Sequence, residues 1–151
     1  MKKSSAFTLI EILIAASIIA ILSAIAVPNY MEAQVRSKVA RTQNDHRALT
    51  TAIGAFIVDH NTSPAGLATL TRPTAYITTV PVDPFLLPEQ QPYHYTVRGG
   101  LDYTDWVLMG RGPDKILDQI RYDTTNGTRS AGDIIYERKP SLRYYWPESE
   151  Q

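Results

Sequence analysis

The chain has no cysteine among its 151 residues, which excludes disulfides, thiolate metal sites and a cysteine nucleophile together. It also lacks net charge, since 15 basic residues balance 15 acidic ones spread along its length. Without a basic face there is no electrostatic footprint for DNA or RNA, and no nucleic-acid partner is expected. Motifs that carry chemistry are scarce as well. There is no G-x-S-x-G elbow and no Asp-x-Asp-x-Asp-Gly calcium loop, and "GRGPDK" (Gly110 to Lys115) has only two of the glycines of a phosphate loop. His46, His60 and His94 are scattered, the first two on what reads as an apolar helical stripe, where a packed or capping histidine is the ordinary outcome. The expectation is a protein that is not an enzyme.

Long apolar runs are missing too, with one exception. Phe7 to Val27, "FTLIEILIAASIIAILSAIAV", holds 21 residues with a single charged side chain, Glu11. As a helix it spans roughly 31 Å, which matches a hydrocarbon core of about 30 Å. Lys2 and Lys3 precede it and place the N-terminus in the cytoplasm, so everything after Val27 is expected outside it. A secretory signal has a shorter run with small residues on its far side, whereas here Ser4, Ser5 and Ala6 lie before the run. An uncleaved membrane anchor is the plain alternative. A carboxylate at the membrane centre, however, costs about 2.5–3.5 kcal/mol on insertion scales, so Glu11 calls for a function and a positive partner. Ser17, Ser23 and the alanines at 15, 16, 20, 24 and 26 either permit close helix packing or merely dilute the span.

"KKSSAFTLIEILIA" resembles the processing signal of type IV prepilins and type II secretion pseudopilins: a short basic leader, a small residue, Phe-Thr-Leu-Ile-Glu, then an apolar helix. The resemblance implies that a prepilin peptidase cuts between Ala6 and Phe7 on the cytoplasmic side and methylates the new amine of Phe7. Ala6 stands where the family usually has Gly and keeps the side chain small. The cationic amine of Phe7, on a neighbouring copy, then becomes the partner of Glu11. Two unlike charges in a low-dielectric setting specify register, although desolvation offsets much of the net gain.

Pro28 follows the span and is expected to kink or loosen the helix there. From Asn29 to His60, Val35, Val39, Thr42, His46, Leu49, Ile53, Phe56 and His60 recur at three- or four-residue steps with charged residues between them. The helix therefore continues amphipathically until "DHNTSPAG", where Asn61, Pro64 and Gly66 stop it. Beyond it, Ala65–Thr71 reads as a short helix, and "PYHYTV" (Pro92 to Val97), "DWVLMG" (Asp105 to Gly110) and "DIIYER" (Asp133 to Arg138) read as strands, with "RGGLDYT" turning between the first two. The fold class is α+β and type IV pilin-like: a long N-terminal helix, half transmembrane and half amphipathic, packed on a small antiparallel sheet of about three strands. The organisation is a leader at 1–6, a transmembrane and assembly helix at 7–27, an amphipathic helix at 28–60 and a globular domain at 61–151.

The later order, "PVDPF...PYHYTV", then "DWVLMG", then "GRGPDK", resembles the major pseudopilins of type II secretion. That resemblance implies calcium in the loop after the tryptophan strand, where Asp114, Asp118, Asp123, Asn126 and Asp133 offer hard oxygen ligands. Arg111, Lys115, Arg121 and Arg129 balance those charges, so a solvated loop with salt bridges is the competing reading, and no cofactor is strictly required. "NTS" at Asn61 and "NGT" at Asn126 fit glycosylation acceptors but read as turns. Tyr144, Tyr145 and Trp146 near the end favour a packed or partner-bound segment over free disorder.

The leading expectation is a structural subunit of the bacterial inner membrane with its globular part in the periplasm. It would polymerise with itself into a periplasmic filament that drives export of folded proteins. Its partners would be the prepilin peptidase, minor pseudopilins, an inner-membrane assembly platform and, before assembly, the lipid bilayer. A type IV pilin for adhesion, motility or DNA uptake is the alternative within the architecture. A membrane-tethered exported enzyme or binding module is the alternative outside it.

Overall fold

The structure is a computed structural model and describes residues 7–87, 89–98, 105–126 and 130–138. The leader at 1–6, most of the "RGGLDYT" turn, Gly127 and Thr128 of "NGT", and the tyrosine-rich end lie outside the described residues. One helix, α1 (Leu9–His60), carries 52 residues and runs through Pro28 without a break, a length of about 78 Å. Its start is fixed by Thr8, which is extended (φ −86, ψ 150) and caps the first turn. Its end is fixed by Asn61, which adopts the left-handed conformation (φ 51) and donates its N–H to the Ile57 carbonyl.

The two halves of α1 meet different surroundings. From Leu9 to Met31 every residue is exposed, and the most apolar window is not buried at all. Helix formation alone satisfies the backbone there, as a bilayer requires. In the second half Val39, Thr42, His46, Leu49, Ala52 and Ile53 are buried. The apolar stripe expected from the spacing is thus the buried face, and it fades towards Phe56 and His60, which stack on each other near the surface at 4.2 Å between ring centroids.

Against this stripe lies a three-stranded antiparallel sheet in the order β1 (His94–Val97), β2 (Trp106–Gly110), β3 (Ile134–Glu137). The central strand β2 is buried at every residue, and its register pairs Leu108 with Tyr95 on one side and Tyr136 on the other. The α+β fold with three strands matches the expectation, each strand a residue or two shorter than its sequence candidate. Ala65–Thr71 contributes a single 3₁₀ turn, Leu67–Leu70, whose two leucines join the core. That core gathers Leu49, Ile53, Leu70, Tyr93, Trp106 and Leu108, and a smaller cluster of Val39, Phe85 and Ile134 lies nearer the membrane half of the helix.

His46 sits where helix and sheet meet, 2% exposed, with its ring edge-on to Tyr93 at 4.8 Å. Burial pushes its imidazole down to about 4. The folded chain then refuses a proton that the unfolded chain accepts below about pH 6.5, so this group's contribution to stability is fully present above that pH. It is lost as pH falls towards 4, by up to about 3 kcal/mol. Urea titrations of the full chain in detergent should show this loss between pH 6.5 and 4, and His46→Leu should remove that part of the slope. An equal acid slope in the variant would assign it to other groups.

Candidate functional site

Two places carry the candidate residues: the start of α1 and the loop between β2 and β3. At the first, Thr8 Oγ1 accepts the Glu11 N–H at 3.3 Å, and Glu11 Oε2 accepts both the Thr8 N–H and the Thr8 hydroxyl at 3.3 Å. This is a reciprocal capping box. It places a carboxylate at the positive end of the helix dipole, where an anion is stabilised. Sequence reasoning singled out Glu11 for a partner on another chain and missed its partner within the chain, although the Thr-x-x-Glu signature was present in "FTLIE". Phe7 precedes the cap and is 77% exposed. Ala6 lies outside the described residues. Deeper in the run, the Ser17 hydroxyl donates to the Leu13 carbonyl at 2.5 Å, so that polar group is satisfied inside its own helix.

In the β2–β3 loop the central residue is Asp133. It is fully buried, and its Oδ2 accepts the N–H groups of Asp118 at 3.0 Å and Gln119 at 2.7 Å. Main-chain bonds from Tyr122 N–H to the Asp133 carbonyl and from Asp133 N–H to the Ile120 carbonyl clamp the same crossing. Here Gly132 is obligatory for space, because a Cβ on it would meet the Arg121 carbonyl group, and one on Gly112 would meet the Gly132 carbonyl oxygen. Burial pushes the Asp133 carboxyl up, and the nearby Asp118 and Asp114 carboxylates add to the effect against the two N–H bonds that oppose it. Its other oxygen, Oδ1, is buried without a hydrogen-bond partner among the described residues.

The remaining candidates divide. Asp114 and Asp118 come close enough to Asp133 to be felt electrostatically, each also accepting a local N–H, from Ile116 and Ile120 respectively. Asp123 turns instead to the N–H and hydroxyl of Thr125, at 2.8 and 2.7 Å. Asn126 falls in the 3₁₀ turn Thr124–Asn126. Among the described residues no three His, Cys, Asp or Glu side chains converge as a metal cage. The sequence reading overlooked another buried carboxylate, Asp83, whose two oxygens accept the N–H groups of Phe85 at 2.9 Å and Arg111 at 2.8 Å. An Asp followed by Pro in the tight, apolar "PVDPF" is a turn signal that could have found it.

Comparison with known proteins bears on both places. The family described as the prokaryotic N-terminal methylation motif matches residues 1–27. Among curated relatives, the type IV major pilin protein PilA of Myxococcus xanthus is 44% identical over 36% of this chain and 24% of its own length. A fimbrial protein of Pseudomonas aeruginosa is 42% identical over 39% of this chain and 38% of its own length. The chain thus spans well under half of these pilin relatives. No solved structure matches the chain. Type II secretion system core protein G of Pseudomonas aeruginosa, by contrast, is 31% identical over 72% of this chain and 84% of its own length. A match of that extent reaches well past the helix into the sheet and loops, and the chain belongs to the type II secretion core protein G family, the major pseudopilins.

Proposed function

We propose that this chain is a structural subunit that is cleaved between Ala6 and Phe7, methylated on the Phe7 amine, and polymerised through α1 into a periplasmic filament that drives export of folded proteins. The observation that carries the reading is the apolar half of α1, wholly exposed in the single chain and headed by a carboxylate. A surface of that size is satisfied by lipid before assembly and by neighbouring helices after it. The globular domain faces the periplasm, with the inner membrane holding the helix. Prepilin peptidase, minor pseudopilins and an inner-membrane platform are the partners such assembly needs. The longer match to core protein G favours secretion over motility, adhesion or DNA uptake.

Calcium belongs to the same proposal. The residues fit a hard cation in part, through the buried, unpartnered Asp133 Oδ1 and the neighbouring Asp118 and Asp114 carboxylates, with loop carbonyls able to complete an oxygen shell. Asp123 and Asn126 are not part of that set. Bound calcium would supply positive charge to this carboxylate group.

Mass spectrometry of the chain from cells with and without the peptidase tests the processing. The expected product lacks residues 1–6 and begins with methylated Phe7. A chain retaining its leader in assembled filaments would overturn the reading. Secretion arrest on deletion, with motility intact, separates it from the pilin alternative.

A further inference from the structure

A cleft of about 300 Å³ opens between residues of the segment 83–95, the end of β2 and Leu117 of the β2–β3 loop. Its walls include Leu86, Pro92 and Leu117, and its polar groups include Arg111 and His94. Asp83 is its one carboxylate, and both Asp83 oxygens are already engaged by backbone N–H groups. The Arg111 guanidinium has no ion pair or hydrogen bond among the described residues, only its backbone N–H being bonded. It lies near the His94 ring, which burial and then the Arg111 charge push down. A guanidinium fork beside an imidazole, with apolar walls and Asp83 as a nearby carboxylate whose oxygens are already taken by backbone N–H groups, leaves the fork's own N–H donors open to a carboxylate that has an apolar neighbour.

Most carboxylates of the globular domain are engaged at home. Asp45 accepts from Tyr93 and Asp59 from Tyr76, Asp114, Asp118 and Asp123 accept their own loop's amides, and Glu137 holds Arg98 and Arg121. Glu89 belongs to the turn that forms the cleft's own wall. Glu32 on α1 differs: among the described residues its one partner is Arg36 one turn away, with the two side chains 49% and 68% exposed, an arrangement of little energetic weight. Beside it Tyr30 and Met31 are 65% and 64% exposed, offering the apolar neighbours.

We propose that the cleft at Arg111 and His94 receives the Glu32 carboxylate of a second copy of this chain, fixing the rotation of one subunit's domain against the next subunit's helix. The proposal rests on the filament reading above. Because the chain has no cysteine, Glu32→Cys combined with Arg111→Cys gives a clean test in assembled filaments. Oxidation should link successive subunits into a ladder that neither single-cysteine variant gives. Arg111→Glu should raise the concentration needed for assembly about tenfold, the loss of one charge-assisted contact, and adding Glu32→Arg should recover most of the yield. Normal filaments from Arg111→Glu, no ladder, or a link formed only within one chain would each overturn the contact while leaving the filament reading intact. A wild-type chain that never polymerises would overturn both.

Discussion

Glu11→Ala should leave membrane insertion and removal of the leader intact and abolish filaments. A charge pair closed in a dry interface is worth about 2–3 kcal/mol in coupling, and in a polymer it is lost at every added subunit. The concentration needed for assembly then rises by about 30- to 150-fold, which is absence in practice. The capping box makes a second substitution more informative. Glu11→Gln keeps an oxygen able to accept the Thr8 N–H, so the helix start stays capped while the charge is gone. If the Phe7 amine of a neighbour is the partner, the Gln variant should fail as fully as the Ala variant. Assembly at ordinary yield from Glu11→Gln would show that the cap, not the charge, is the working part. Pull-down of tagged subunits from membranes and counting of filaments by electron microscopy read the two outcomes.

The box also says how a carboxylate is tolerated before assembly. In the single chain Glu11 already accepts two donors from Thr8 and sits at the positive end of a 52-residue helix, both of which reduce the expense of holding it near lipid. If Glu11 meets the Phe7 amine of a neighbour as proposed, assembly would exchange one set of donors for another, and the difference between them, not the whole charge, would drive the choice. Thr8 and Glu11 act as a unit that is ready before the partner arrives.

What could be read from the sequence followed from local period. The run from Phe7 to Val27 and the strand candidate "DIIYER" each specify an element, the stripe through Leu49 and Ile53 specifies an element and the face it buries, and the fold class followed from them. What could not be read depends on pairs far apart in the chain. The Tyr93 hydroxyl meets Asp45 across 48 positions, and Asp83 reaches Arg111 across 28. No spacing announces such partners, because they exist only once the sheet has docked on the helix. The acidic loop shows the same limit. Five oxygen-bearing residues looked alike in sequence, yet burial separates them, placing Asp133 at the centre and turning Asp123 towards Thr125. The Thr8 to Glu11 bonds are a different case, since that signature is local and was legible.

Asp133 carries the other large effect. Its Oδ2 holds two N–H groups that shape the β2–β3 loop, and hydrogen bonds to a charged acceptor contribute about 1.5–3 kcal/mol each. Asp133→Ala removes both and leaves the Asp118 and Gln119 amides without their acceptor, so thermal or urea unfolding of the full chain in detergent should show a loss of at least about 3 kcal/mol. Asp133→Asn is the sharper probe. Its amide retains a carbonyl oxygen for the two N–H groups, provided the NH₂ takes the place of the unpartnered Oδ1. That variant should keep most of the metal-free stability, while losing a charged ligand. Calcium binding only to the folded chain stabilises it by about 2.7 kcal/mol at a hundred times its dissociation constant. In the wild-type chain, calcium should therefore raise the unfolding temperature and chelator should reverse the gain, and Asp118→Asn should weaken the response. In Asp133→Asn the response should vanish. A wild-type chain indifferent to both calcium and chelator would remove the metal from this loop and leave Asp133 as a buried clasp. Thr125 holds the Asp123 carboxylate within the loop, so Asp123→Asn should leave the calcium response standing, and its loss there would move the site away from Asp133.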